Sequence, residues 1–429
     1  MPETENNVQL RKKPPKILPS CRVCGGEMFL VLDLGMQPFA NALVTRPDEK
    51  VLTYPLALMI CRKCSTAQLS FCADDKVLYE NYLYITPDSQ ELRQHYQEMY
   101  DFLVTKSYID PSSRVLEIGS NIGRLLEFLK PRVASILGVD PAMNICQMAQ
   151  EKGILTVPEF FNAETARRMR KDYGEQNLVI ARHCFAHNEK PWLMLEGVNE
   201  ILSDRGALLI ENAYFLDTVR NYEFDQIYHE HMYYYSLRSI SAMLEKQGFQ
   251  LVDILPSTVH GGSMVYIAQR LMEKGTPSPT VQDYLKQEDK IHQEDFYADF
   301  VSRIQKNKSQ LVEILGQLKA KGKIVHAYGA SAKSTTLLNY FGIDQTMIPC
   351  VVDSTVTKQG KYIPLANIRI ISEEQAAQDR PDYYLLTIWN YKDEIIKKVR
   401  SWGNLRTQFI VPHPKVEIIG GGETPKIGG

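Results

Sequence analysis

The 429-residue sequence predicts a multidomain α/β protein, and three observations carry that expectation. Apolar strand-like runs alternate with helical patterns through the middle of the chain, which is the mark of a parallel sheet. A strand, glycine turn and helix open that region at Arg114, and a second such unit opens the last third at Lys323. Ahead of both lie two Cys-x-x-Cys pairs. At roughly 100–200 residues per domain, the length allows two to four domains.

Composition narrows the class. With 44% hydrophobic and 23% charged residues the chain reads as a soluble globular protein, and no apolar run approaches the ~18–20 residues of a membrane span. A net charge of -2 argues against a general nucleic-acid-binding surface. Met1 to Pro19 holds the basic run Arg11 to Lys16 but no apolar core, so it reads as a tail and not as a signal peptide. A cytoplasmic location is expected, with the eight cysteines as thiols and metal ligands.

Cys21, Cys24, Cys61 and Cys64 form the two pairs, separated by residues 25–60. Two such knuckles present four thiolates to a tetrahedral zinc ion and leave no open position, so a structural zinc is expected. Zinc ribbons often contact nucleic acid. Between Phe29 and Leu69, however, the residues are mostly apolar, with no dense Lys/Arg stripe for phosphates. A module that docks on its own chain is favoured. The next segment, Tyr79 to Ser89, carries Tyr82 and Tyr84, which line a pocket or bridge two domains.

In the run Arg114 to Leu126, Gly119 and Gly123 let backbone approach a ligand at the start of a helix, with Asn121 between them. Glu117, two residues before the first glycine, would repel a pyrophosphate but suits the ammonium of an amino-acid-like cofactor. Asp140 ends the next strand, where an acidic residue accepts ribose hydroxyls. Further strands are expected at Gly153–Val157, Asn177–Ala181, Gly206–Glu211 and Gln250–Ile254. Phe161 falls at the level of an adenine, and His183 and His187 follow the strand at the ligand-binding edge. Between Asn221 and Ser236, five tyrosines, two histidines and three carboxylates supply the proton donors and acceptors of general acid/base chemistry.

The ExGxxxG pattern with its strand-end Asp resembles the S-adenosylmethionine-dependent methyltransferases, and the dinucleotide GxGxxG fingerprint of a nicotinamide enzyme is absent. Taken with the double CxxC module, QIYHEHMYYYS, HGGSMVY at His260 to Tyr266, the Tyr328 to Ile343 stretch, VVDSTVTKQGKYIP and WNYKDEI, the chain resembles the nucleotide-sugar C-methyltransferase family over most of its length. Two stretches depart from that pattern: Ile363 to Ile368 stands where a Pro-Gly-Thr-His-like turn is expected, and Ser334-Thr335-Thr336 replaces a glycine-containing version. The resemblance implies a class I methyltransferase Rossmann-like core, an N-terminal zinc module and a C-terminal Rossmann-like α/β domain. It also implies transfer of a methyl group to C3 of a 4-keto-deoxyhexose carried on a nucleoside diphosphate.

Removing a proton beside a ketone requires a base in contact and donors for the developing enolate oxygen. His231 is the candidate base, with Glu230 or another nearby carboxylate orienting its ring. By resemblance, Tyr228 and His187 are donors toward the sugar oxygens. Phe296, Phe300, Ile304, Leu311, Leu315 and Leu318 predict a long amphipathic helix between Tyr284 and Lys321. Beyond it, Lys333 at a helix start forms an anion site, and Asp353 ends the strand IPCVVD. Trp389, Asn390 and Tyr391 follow the strand YYLLTI and, with His260, are the remaining candidates for holding the sugar nucleotide. The expected divisions are a tail to residue 16, the zinc module 17–75, the methyltransferase domain 76–285 and the substrate-nucleotide domain 286–429.

Overall fold

The computed structural model describes residues 20–47, 49–73, 85–271 and 276–420. Tyr82, Tyr84, the tail to residue 16 and the side chain of His260 lie outside what is described. Seventeen strands occur among the described residues, in three sheets.

The N-terminal sheet contains β1 (Met28–Pro38), β2 (Thr53–Cys61) and β3 (Ala67–Leu69), all antiparallel. The central sheet contains β4 (Arg114–Ile118), β5 (Ser135–Val139), β6 (Thr156–Val157), β7 (Gln176–Arg182) and β8 (Leu202–Ala213). A two-residue strand, β9 (Tyr233–Tyr234), lies inside the Asn221 to Ser236 stretch and pairs with β3, adding a fourth strand to the N-terminal sheet. The central sheet is completed by β10 (Phe249–Ser257) and β11 (Ser263–Arg270), in the order β10-β11-β8-β7-β4-β5-β6.

The chain runs outward from β4 to β6 and then returns to the other side of β4 with β7 and β8. That reversal opens a crevice at the carboxyl ends of β4 and β7. The alternation in the sequence predicts parallel strands throughout, whereas β10 and β11 are antiparallel to each other and β11 is antiparallel to β8. The connection from β10 to β11 is only the short turn Val259–Gly261, and a parallel return needs a crossover of a dozen or more residues.

The third sheet contains β12 (Val325–Tyr328), β13 (Cys350–Val352), β14 (Arg369–Ile371), β15 (Tyr383–Leu386), β16 (Gln408–Val411) and β17 (Glu417–Ile419), in the order β14-β13-β12-β15-β16-β17. It repeats the reversal of the central sheet, here between β12 and β15. Its parallel strands β12, β13, β15 and β16 are buried on both faces, as parallel strands covered by helices must be, and the edge strand β17 is antiparallel to β16 and only partly covered.

The single helix expected from Tyr284 to Lys321 is two helices. Pro279–Gln287 ends before Glu288, and Ala298–Ala320 begins after a short 3₁₀ turn. The break has a purpose in the fold. Glu288, fully buried, accepts the backbone N–H groups of Leu237 (2.7 Å) and Arg238 (2.9 Å) and the hydroxyl of Tyr214 (2.8 Å). It thereby satisfies donors that have no intrahelical partner at the start of the helix Leu237–Lys246. The second helix buries Phe300, Ile304, Leu311, Leu315 and Leu318, as the apolar spacing requires.

The three sheets share cores. One cluster joins Leu58 and Ile60 of β2 with Phe224 and Ile227 and with Leu337 and Phe341 of the helix Ala332–Phe341. Hydroxyls reinforce the junction: Thr335 donates to the Ala40 carbonyl (2.9 Å) and Thr336 to the Ile227 carbonyl (3.2 Å). Val44 and Tyr362 form an isolated antiparallel bridge between the first and last regions. Among the described residues no helix is long and apolar enough to cross a membrane.

Candidate functional site

Three groups of side chains gather around the Asn221 to Ser236 stretch: a cysteine cluster, a cofactor crevice and a histidine pair. The cysteine cluster comes first in the chain. The four sulfur atoms of Cys21, Cys24, Cys61 and Cys64 all lie within 4.8 Å of one another. Two of the separations are 3.6 Å (Cys21 to Cys64) and 3.4 Å (Cys24 to Cys61), near the ~3.8 Å edge of a tetrahedron with Zn–S bonds of ~2.3 Å. The backbone N–H groups of Gly26 and Lys63 point at Cys24 and Cys61 sulfur, each at 3.4 Å. This donor set fits a structural zinc.

The crevice is built by β4, β5 and β7. Glu117 sits at the end of β4, buried, with Oε2 lacking any hydrogen-bond partner. Burial pushes its carboxyl up to about 7 despite the pull of Arg182. Gly119 follows with φ +64, and a Cβ there would stand 2.8 Å from the Cys184 Cβ, so only glycine fits this turn. Asn121, also in the left-handed region, accepts the Thr86 N–H (3.0 Å) through Oδ1, and Gly123 caps the next helix. Asp140 holds the loop with both oxygens, accepting N–H groups from Asn121 and Ala142 at 3.0 Å each. A carboxylate with one unpartnered oxygen, a close-approach glycine and a strand-end Asp fit the amino-acid head and ribose of S-adenosylmethionine.

Phe161 is as buried as the other residues of this crevice. It is buried in the core, where a Cβ added to Gly197 would meet its ring at 2.7 Å, and the exposed ring of that turn is Phe160. One consequence of the Glu117 environment is measurable. A carboxyl raised to about 7 binds an ammonium only when ionised, so S-adenosylmethionine affinity should rise as pH increases from 6 to 8. Calorimetric titration across that range checks it, and a Glu117→Gln variant should lose the dependence.

The histidine pair joins two elements. His187 ends the short turn Phe185–His187 after β7, and its ring lies 5.1 Å from that of His231. His231 Nδ1 is 2.9 Å from the Gln226 carbonyl, which can only accept, so this nitrogen carries the proton. The lone pair of the neutral ring is therefore on Nε2, where the Tyr228 hydroxyl donates at 2.7 Å. A backbone carbonyl, and not Glu230, orients the ring. Glu230 turns the other way: its Oε1 accepts from Asn41 Nδ2 (3.0 Å), and its buried Oε2 has no partner. Burial raises the Glu230 carboxyl. Burial also pushes His187 down to about 4 and His231 well below the usual imidazole range, leaving both rings neutral at pH 7.

The third sheet also reaches this stretch. The Trp389 indole N–H donates to Asp225 Oδ2 (3.0 Å), and Lys333 Nζ stands 5.7 Å over the indole ring. Asn390 and Tyr391 share the turn Trp389–Tyr391 and are half-buried. Asp353 repeats the Asp140 arrangement, accepting N–H groups from Ala330 (2.9 Å) and Thr355 (2.8 Å), with Lys358 Nζ 3.5 Å away. Gly329, at φ +102, has no room for a Cβ beside Ile388.

Sequence reasoning does not single out the support behind Glu117. Arg182 donates to Glu211 Oε2 (2.9 Å), lies 3.8 Å from Glu117 and stacks on Tyr96 at 4.7 Å. Glu211 also meets His95 Nε2 at 2.7 Å. Burial would raise the Glu211 carboxyl, but His183, His95 and Arg182 hold it well below the usual range. The available signal was Glu211 itself, a carboxylate ending an apolar strand just as Glu117 does.

His229, between Tyr228 and Glu230, faces away into the rings of Phe39, Tyr54 and Phe71. It is fully buried, and burial lowers its pKa to about 4. The unfolded chain takes up this proton near pH 6.5, so the stabilisation is complete above that value and is lost as pH falls toward 4. The loss is roughly 3 kcal/mol. Denaturant unfolding of His229→Phe between pH 7 and 4 should show a correspondingly shallower decline than the parent.

Comparison with known proteins accords with this geometry. A C-methyltransferase C-terminal domain matches residues 258–414, a methyltransferase domain matches 90–254 and a zinc binding domain matches 21–79. C-methyltransferase NovU of Streptomyces niveus is 34% identical over 404 residues, 93% of this chain and 96% of that protein. Among solved structures, magnesium protoporphyrin IX methyltransferase from Synechocystis PCC 6803 with bound SAM is 16% identical, with a TM-score of 0.35 over 46% of this chain and 98% of its own. An Anabaena variabilis ATCC 29413 SAM-dependent methyltransferase is 14% identical, with a TM-score of 0.32 over 44% of this chain and 100% of its own. The chain belongs to the C-methyltransferase family and is an S-adenosylmethionine-dependent enzyme with a zinc-binding module.

Proposed function

We propose that the enzyme methylates C3 of a nucleoside-diphosphate-linked 4-keto-deoxyhexose through an enolate. The observation that carries the reading is the neutral His231 ring, fixed by the Gln226 carbonyl so that Nε2 offers its lone pair beside the Tyr228 hydroxyl. In this reading the Tyr228 hydroxyl turns from Nε2 to the ketone oxygen as substrate binds, and the freed Nε2 lone pair takes the C3 proton while the electron pair of that C–H bond moves toward the ketone oxygen. Tyr228 and His187 supply donors to the oxygen as charge develops, a role in which a preorganised hydrogen bond is most effective. In this reading the buried, unpartnered Glu230 Oε2 accepts a sugar hydroxyl. Lys333 and the Gly329 loop hold the diphosphate, and Asp353, Trp389, Asn390 and Tyr391 border the nucleoside and sugar. The bound cofactor supplies an electrophilic methyl group.

Glu117 and Asp140 would hold that cofactor while the third sheet holds the nucleotide. The test uses a nucleoside-diphosphate 4-keto-deoxyhexose in D2O without cofactor, followed by mass spectrometry. Enzyme-dependent deuterium uptake at C3, and a one-methyl mass gain once cofactor is added, are expected. Methyl transfer to another atom of the sugar, or no exchange at C3, would remove the reading.

A further inference from the structure

We infer that Arg22 is a positioning residue for methyl transfer, coupling the closed zinc knuckle to the spacing of His187 and His231. Arg22 lies between two of the four cysteines, so closure of the knuckle fixes its backbone. Its N–H donates to Gln68 Oε1 (3.0 Å), its Nη2 donates to the Leu69 carbonyl (2.5 Å), and its guanidinium lies 5.3 Å from the Tyr233 ring centroid. Gln68 and Leu69 belong to β3, the strand that takes β9 as its partner, with Gln68 opposite Tyr233 and Ala67 opposite Tyr234.

The link continues through one residue. Met232 accepts the Leu69 N–H at its carbonyl (3.1 Å) and donates its own N–H to the Ala186 carbonyl (2.9 Å). Met232 is the neighbour of His231, and Ala186 is the neighbour of His187. Both backbone groups of a single residue thus tie the zinc module to one histidine and hold the other histidine at the first. Tyr233 adds a further tie, its hydroxyl donating to the Glu189 carbonyl at 2.9 Å. The metal centre acts through this path on where two imidazoles stand. A displacement of about 1 Å at reacting groups costs on the order of 100-fold in rate, so even a partial loosening is measurable.

The kinetic part of the inference rests on the proposed roles of His187 and His231, while the mechanical part does not. The experiment compares Arg22→Ala and Arg22→Lys with the parent for zinc content, S-adenosylmethionine affinity, hydrogen exchange of residues 226–236, kcat and KM, and the pH profile. Arg22→Ala should keep one zinc per chain and a cofactor Kd within about twofold, while exchange of 226–236 quickens by about tenfold or more. Its kcat should fall about tenfold with a smaller change in KM, and its acid limb should move to higher pH as His231 gains solvent. Arg22→Lys should recover part of the exchange protection. Should Arg22→Ala fail to fold, stepwise chelation of the parent gives the same reading: exchange of 226–236 should rise with zinc loss before that of the helix Gln90–Thr105. Unchanged exchange of 226–236 in a zinc-loaded Arg22→Ala, or on chelation, overturns the coupling. Fast exchange with unaltered kcat and pH profile leaves the mechanical link but overturns Arg22 as a positioning residue for methyl transfer, whereas the base role of His231 stands or falls with His231→Asn.

Discussion

His231→Asn is expected to lower kcat by roughly 10³-fold while leaving S-adenosylmethionine affinity unchanged, the scale of a lost general base. Asparagine is a demanding control because its amide N–H can still reach the Gln226 carbonyl that His231 Nδ1 engages at 2.9 Å. The orienting bond survives and the basic lone pair does not. Stopped single-turnover assays of methyl transfer, set beside calorimetry of cofactor binding, separate the two effects. Tyr228→Phe leaves Nε2 in place without the hydroxyl that meets it at 2.7 Å, and should lose less, roughly 10²-fold. A His231→Asn enzyme within threefold of the parent would end the assignment.

Arg182→Leu should cost roughly 3–5 kcal/mol of stability, the range for stripping one partner from a buried ion pair. Its side chain is 8% exposed, and the carboxylates it serves, Glu117 and Glu211, are 6% and 0% exposed. Without the guanidinium those two groups face each other in low dielectric with only His95 and His183 as compensation. Adding Glu211→Gln to the Arg182→Leu background removes one uncompensated charge and should return part of the loss. Urea denaturation of the two variants and the parent provides the comparison, and a single-variant loss below about 1 kcal/mol would show that water or relaxation already screens this cluster.

Much of the architecture was legible because it rests on local chemistry. The Cys-x-x-Cys pairs, the Gly119 turn and the strand-end Asp140 each fix their own surroundings within a few residues. What escaped depends on contacts between distant segments. Nothing near Asn41 announces that it meets Glu230, and nothing near Leu69 announces that it binds Met232, since both bonds join residues far apart in sequence. The orienting group of His231 was hidden for another reason: it is a main-chain carbonyl, which every residue carries. Phe161 and Phe160 are adjacent and chemically alike, so only packing against Gly197 decides which of them is buried. The helix expected to run unbroken from Tyr284 failed at Glu288, whose burial is set by the start of another helix.

The threonine pair on the helix Ala332–Phe341 bears on how the chain can be recombined. Thr335 and Thr336 donate to the carbonyls of Ala40 and Ile227, and a carbonyl is present whatever side chain the partner segment carries. Only the donors are sequence-dependent. A C-terminal half taken from a relative with hydroxyls at these two positions therefore brings these two hydrogen bonds with it, and what remains to be matched side chain by side chain is the apolar cluster of Leu58, Ile60, Phe224, Leu337 and Phe341.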